Sequence, residues 1–203
     1  MKRKIITINR EYGSGGRKIG ERVAKRLGIP FYDGNLIARV AAETGLSKAH
    51  VASWDEQVAS PRMWGLPRIG AMGNPLVDGH NDVQEAAMVA ALNHIIKDIA
   101  KQGSAVIMGR GSDYILRDDP DQISVYVFAD EAVRVERIWR EYGAEDAKAA
   151  LARLRMVDRG RAAYMRRFVD RAWGDMKNYH LCLDSGKLGI ARCIDLIWEA
   201  VAD

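Results

Sequence analysis

Residues 6 to 20 read ITINREYGSGGRKIG: a short apolar run, a turn holding Gly13, Gly15 and Gly16, then Arg17 and Lys18 where a helical pattern begins. Glycine in such a turn takes backbone angles closed to other residues and lets a ligand approach the main chain. A helix that starts there offers N–H groups without intrahelical partners and a positive dipole end, a ready anion site. Arg17 and Lys18 oppose that dipole, so their placement costs stability unless an anion lies between. The chemistry on offer is therefore the holding of phosphate, with a purely structural turn as the plain alternative. The strict phosphate-loop spacing G-x-x-x-x-G-K-[ST] is absent. The dinucleotide spacing G-x-G-x-x-G fails too, because Lys18 stands where its third glycine belongs. Asp33 falls about 20 residues on, where a ribose-binding acid would sit, so a dinucleotide-binding oxidoreductase stays open.

Arginine supplies the second group of candidates. Arg153, Arg155, Arg159, Arg161, Arg166, Arg167 and Arg171 crowd one stretch. Such a cluster implies an anionic partner (nucleotide, nucleic acid or acidic protein) or else a solvated helix face. Arg110 ends an apolar strand pattern between two glycines, which a surface charge does not explain. Arg39 could pair with Glu43 across one helical turn. His50, His80, His94 and His180 form no ligand spacing. Cys182 and Cys193 are too few for a disulfide framework and not spaced for zinc, so both read as buried free thiols. Trp173 and Tyr179 read as packing residues.

The elements that must position these residues alternate along 203 residues of net charge +4, 48% of them apolar. That length suits one domain with room for a small insertion. Strand patterns cover residues 4–9, 29–33, 105–109, 123–129 and 180–184. Helical patterns cover 17–27, 36–44, 47 to about 58, 82–101, 131–142, 145–171 and 190–202. Residues 59–81 show no period and are rich in proline and glycine, so they read as a long functional loop. Met63, Trp64, Leu66, Ile69 and Met72 within it suggest packing against something, with a second copy of the chain as one candidate. The alternation predicts an α/β fold, a parallel sheet with helices on both faces. Ligands in such folds bind beyond the carboxyl ends of the strands. No apolar run approaches a membrane span. The basic, apolar N-terminus is too short for a signal peptide and lacks a cleavage site. The expectation is a cytoplasmic protein without a membrane partner.

The chain resembles the cytidylate kinase-like family of P-loop nucleoside monophosphate kinases over nearly its whole length. ITINREYGSGGRKIGERVAKRLGIPFYDGNLIAR is similar to that family's phosphate loop, first helix and opening of the monophosphate site. VIMGRGSDYIL resembles its GRD strand end, and VYVFADEAVRVERI the strand and helix before the lid. VDRGRAAYMRRF resembles its arginine-bearing lid, and WGDMKNYHLCLDSGKLGI its tail. The resemblance implies a three-layer P-loop kinase-like fold with a central parallel sheet and a helical lid. It implies one domain over 1–203, an acceptor-binding insertion near 34–81 and an arginine-rich lid near 145–175. The implied activity moves the γ-phosphoryl group of ATP, with Mg²⁺, to a nucleoside monophosphate.

Carried over position by position, Gly13 and Gly15 match loop glycines. Arg39 falls on an acceptor-phosphate arginine, Arg110 on the GRD arginine, and Arg159 and Arg161 on lid arginines. Asp33 matches an aspartate at the start of the acceptor site. The chain departs from the pattern at Gly16, where the family has its loop lysine, at Lys18, where it has its magnesium-binding hydroxyl, and at Gly111, where GRD has its aspartate. Arg17 or Lys18 could supply the lost charge, Ser14 a hydroxyl and Asp113 a carboxylate if its loop bends back. The metal ligands are not assigned. The resemblance also leaves room for a nucleotide-binding protein without catalysis. Nucleic acid is the weakest partner reading, resting on the arginine cluster alone.

Overall fold

The computed structural model describes the backbone over residues 3–52 and 75–202, with side chains over 3–52 and 83–202. The hydrophobic residues of the 59–74 stretch named above lie outside the described residues. Five strands, β1 (Ile5–Arg10), β2 (Phe31–Tyr32), β3 (Ala105–Met108), β4 (Gln122–Phe128) and β5 (Leu181–Asp184), form one parallel sheet in the order β2-β3-β1-β4-β5. β1 runs down its centre, Ile8 facing Met108 on one side and Val125 on the other.

Side chains alternate across a strand, and the two faces of β1 feed different cores. Ile6 and Ile8 pack with Val106, Val125 and Val127 against α1 (Gly16–Leu27) and α7 (Ser185–Val201), through Ile19, Val23, Cys193 and Ile197. Ile5 and Ile107 face the other way, against α2 (Leu36–Thr44) and α3 (Pro75–Gln102), through Leu36, Val40, Met88, Leu92 and Ile96. Each large side chain so buried is worth roughly 1.5–3 kcal/mol. The short α4 (Ser112–Ile115) follows β3. A third cluster of Ile138, Ala150 and Leu154 joins α5 (Glu131–Glu141) to α6 (Ala147–Tyr164) and receives Tyr12 from the glycine turn.

The parallel sheet bears out the expected fold class, and local signals set most boundaries. Gly28 and Gly45 close α1 and α2 in left-handed conformations. Ser47 caps the next helical turn, accepting from the His50 amide at 3.1 Å. Several boundaries differ from the sequence reading, α7 among them, which begins at Ser185 and not at 190. β2 pairs over two residues only, because it is an edge strand lying against β3 alone. α3 begins at Pro75, inside the stretch read as loop; proline fits a first helical turn, where its missing N–H has no intrahelical partner to lose. α6 passes into a π turn at Met165–Val169, which sends Met165 and Val169 into the α3 core. Cys193 is buried, but Cys182 is only half-buried. Among the described residues, no helix is long and apolar enough to cross a membrane.

Candidate phosphate-binding site

The turn after β1 is braced from three sides. Gly13 (φ 78°) and Gly15 (φ 77°) both sit in the left-handed region. Arg137 of α5 donates to the Gly13 carbonyl at 2.6 Å. Arg134 donates to the Tyr12 carbonyl at 3.4 Å and pairs with Asp158 of α6 at 2.5 Å. Asp158 in turn accepts from the Tyr12 amide at 2.8 Å. The Ser185 hydroxyl, from the start of α7, donates to the Ser14 carbonyl. None of these braces was singled out from the sequence. The available signal was Arg134 itself, a charge four residues before Ile138 on the buried side of an amphipathic helix.

Above the braced turn lies a hollow of about 330 Å³, lined by the turn, Arg10, Arg17, Lys18, Arg153 and Arg161, with Glu11, Glu21 and Glu141 among its acids. The first turn of α1 points into it, and its N-cap, Gly15, makes no side-chain cap. Amides there lack intrahelical partners; that of Gly16 donates to the Ser14 hydroxyl at 3.3 Å, and an anion could be met by others of the first turn. Arg161 donates to the Arg10 carbonyl at 2.8 Å and stands 3.7 Å from Asp158. Burial pushes the Arg161 guanidinium below its ordinary range; Asp158 opposes the fall, and Arg110 adds to it. An anion in the hollow would relieve that cost. Tyr12 carries Arg153 at 5.5 Å and Arg161 at 5.8 Å from its ring centroid.

The sequence-derived residues divide between this hollow and other places. Gly13, Gly15, Gly16, Arg17, Lys18 and Arg161 all border it. Lys18 stands 3.8 Å from Glu141, a loose and exposed pair of small worth. Ser14 is fully buried, its hydroxyl donating to the Glu11 carbonyl at 2.8 Å, so it serves the turn and offers no hydroxyl to a ligand. Arg159 is exposed and donates to the Arg155 carbonyl of its own helix at 3.0 Å. Residues two apart on a helix do not share a face, which is why Arg161 enters the hollow and Arg159 does not. Arg39 lies over the Tyr32 ring at 5.7 Å and lines a separate depression with Glu43 and Asp98, between α2 and α3. Asp33 pairs with Arg17 at 2.9 Å and with Arg10 at 3.4 Å, a clamp rather than an open acid.

Arg110 takes φ 59° between Gly109 at 63° and Gly111 at 65°. A left-handed arginine stores roughly 1–3 kcal/mol of strain, the kind found at functional sites. Tyr164, just before the π turn, donates to its carbonyl at 3.3 Å. Arg110 lines a second hollow of about 110 Å³ with Asn93, Lys97, Arg117, Tyr164 and Phe168.

Asp113 does come back towards β1. Asn9 donates to its Oδ1 at 2.7 Å, while Oδ2 is buried without a partner. Burial raises its pKa, against smaller lowering effects of backbone hydrogen bonding, Arg171 and Asn9. A raised carboxyl pKa means that the folded protein holds the proton more tightly than the unfolded chain. The stability linked to Asp113 is therefore whole below the unfolded value of about 3.9 and lost as pH rises through the folded value. Asp113→Asn keeps the acceptor for Asn9 and removes the charge. It is expected to melt a few degrees above the wild type at neutral pH, the scale of about 1 kcal/mol in a chain of this length. The gap should close as pH falls towards the unfolded value. A variant that melts below the wild type at neutral pH contradicts this reading.

Mg²⁺ takes oxygen ligands and is often held by one or two carboxylates with phosphate oxygens and water. Of the acids at or beside the hollow, Glu11 is engaged by the Ala129 amide and Arg134, Asp33 by two arginines, and Asp158 by Arg134 and Tyr12, while Glu21 and Glu141 line it from the rim. Among the described residues, no three His, Cys, Asp or Glu converge. The described side chains do not build a metal cage.

Comparison with known proteins places this geometry. The model of a family described as cytidylate kinase-like matches residues 5–187. An uncharacterized protein from Eubacterium ventriosum superposes with TM-score 0.71 at 24% identity, covering 99% of each chain. Shikimate kinase from Bacteroides thetaiotaomicron superposes at TM-score 0.54 and 11% identity, covering 98% of this chain and 99% of that one. The Acinetobacter baumannii shikimate kinase, in complex with shikimate, gives 0.51 at 14% identity, covering 98% and 93%. No curated protein matches the chain. At such identities the structures speak for the fold alone, a parallel sheet with helices around it.

Proposed function

Because the chain belongs to the cytidylate kinase-like family, we propose that it is a phosphotransferase that moves the γ-phosphoryl group of ATP to a nucleoside monophosphate. The observation that carries this reading is the meeting of Arg10, Arg161 and the first turn of α1 in one hollow. The triphosphate would lie over the turn, its oxygens on the amides from Gly13 to Lys18. The acceptor would lie towards the second hollow, its phosphate on Arg110 with Lys97 nearby.

An acceptor phosphate oxygen attacks the γ-phosphorus. The bond to the β,γ-bridging oxygen breaks, and its electron pair leaves with ADP. No proton need move. Little covalent work falls to the protein, which aligns two anions and neutralises charge on the moving group. Arginine suits that task because its planar fork grips phosphate oxygens in pairs. Mg²⁺, when bound with ATP, would share in that neutralisation.

Purified protein with ATP, Mg²⁺ and CMP or dCMP is expected to release ADP and form the diphosphate. No turnover across a panel of nucleoside monophosphates and small alcohols would overturn the reading. Arg110→Ala should lower kcat/KM for the acceptor about 10–100-fold, the worth of one charged hydrogen bond; an unchanged value removes Arg110 from the site. A second reading, nucleotide binding without catalysis, is favoured by one residue, Gly16, in the place of the loop lysine. It requires that ATP raise the melting temperature while no product appears.

A further inference from the structure

We propose that Arg10 is the phosphate-loop cation of this chain, a catalytic residue that grips the γ-phosphoryl group in place of a lysine at position 16. The inference rests on the phosphotransferase reading. Laid with its second glycine on Gly15, the pattern G-x-x-x-x-G-K puts its first glycine at Arg10 and its lysine at Gly16. Charge and glycine have changed places.

The two positions touch in the folded chain. A Cβ added at Gly16 would stand 2.6 Å from the Arg10 Cβ, 3.1 Å from its Cγ and 3.3 Å from the Val127 Cβ. A side chain at 16 and the arginine at 10 therefore exclude each other. From β1, Arg10 crosses to the carboxyl ends of β2 and β3. There its Nη2 stands 3.4 Å from Asp33 Oδ1, and its Nη1 lies where a Cβ on Gly109 would come within 2.4 Å. The side chain is only 18% exposed, yet it lines the donor hollow. Its carbonyl accepts from Arg161, so the two cations are fixed relative to each other. A guanidinium has five N–H donors, so Asp33 can orient it while other donors meet phosphate. It stands between the donor turn and the Gly109–Gly111 loop, where a transferring group must pass.

The test is a cycle of wild type, Arg10→Gly, Gly16→Lys and the double variant. It reads ATP affinity by calorimetry, transfer rate and thermal melting. Arg10→Gly should weaken ATP at least about tenfold and slow transfer further, the scale of a charge-assisted contact. Gly16→Lys alone should also lose ATP affinity, because the new side chain collides with Arg10. The double variant should regain most of both, a coupling that a merely structural salt bridge to Asp33 would not produce. Should Arg10→Gly not fold, Arg10→Gln keeps the length without the charge and reads the same loss. ATP affinity unchanged in Arg10→Gly or Arg10→Gln, or a double variant no better than the worse single one, overturns the inference alone. A wild type that binds ATP without turnover overturns the catalytic reading, while the affinity cycle still decides the place of Arg10. A wild type that does not bind ATP overturns both.

Discussion

Arg161→Ala is expected to lower kcat about 10²–10³-fold, the usual consequence of removing one preorganised donor from a developing charge. Arg161 is held by the Arg10 carbonyl and by the Tyr12 ring, at the rim of the turn. Its partial desolvation is unfavourable without an anion, and the same low-dielectric setting strengthens its hold on phosphate. An interaction that grows as negative charge spreads over the moving group appears in kcat more than in KM for ATP. Melting should change little, since the variant also sheds a cation that burial disfavours. Steady-state kinetics beside a melting curve measure both. A kcat within a few-fold of wild type would remove Arg161 from the reaction.

Gly13→Ala is expected to cost about 2–4 kcal/mol, combining a left-handed penalty near 1–2 with overpacking. The new Cβ would stand 2.8 Å from the Arg134 carbonyl oxygen and 2.9 Å from the Ile138 Cδ1. A backbone oxygen inside α5 cannot retreat without moving the helix, and with it Arg137, which holds the Gly13 carbonyl. The melting temperature should fall by about 10 °C, at a few degrees per kcal/mol for this length, and nucleotide binding should weaken with it. Gly28→Ala is the matched comparison. Its φ of 66° is equally left-handed, but nothing lies within 4 Å of the added carbon. It should show the backbone penalty alone. Equal losses in the two variants would mean that the crowding behind the turn is not what demands glycine there.

Periodicity made the α/β sheet and its two cores legible, because Ile5 and Ile6 must face opposite ways and each found a helix layer waiting. Glycine marked the turn, and the cations after it led to the expectation of an anion. What stayed hidden was long-range. Arg134, Arg137 and Asp158 brace the turn from more than a hundred residues away, and no local pattern announces such a meeting. The lid arginines looked equivalent because all carry the same charge; only the helical phase separates Arg161 from Arg159. Arg39 lies over Tyr32 and lines a depression with Glu43 and Asp98, a placement its sequence neighbours do not announce. Arg10 escaped notice since an arginine ending a strand fits no phosphate spacing, until the fold laid it across Gly16.

The central claim is that a nucleotide's phosphates rest on the start of α1 between Arg10 and Arg161. A crystal structure with a non-hydrolysable ATP analogue tests it most directly. The β- and γ-phosphates should lie within hydrogen-bond distance of amides between Gly13 and Lys18, with both guanidiniums on the γ-phosphate. A nucleotide bound elsewhere, with that turn and both arginines out of its reach, would contradict the account.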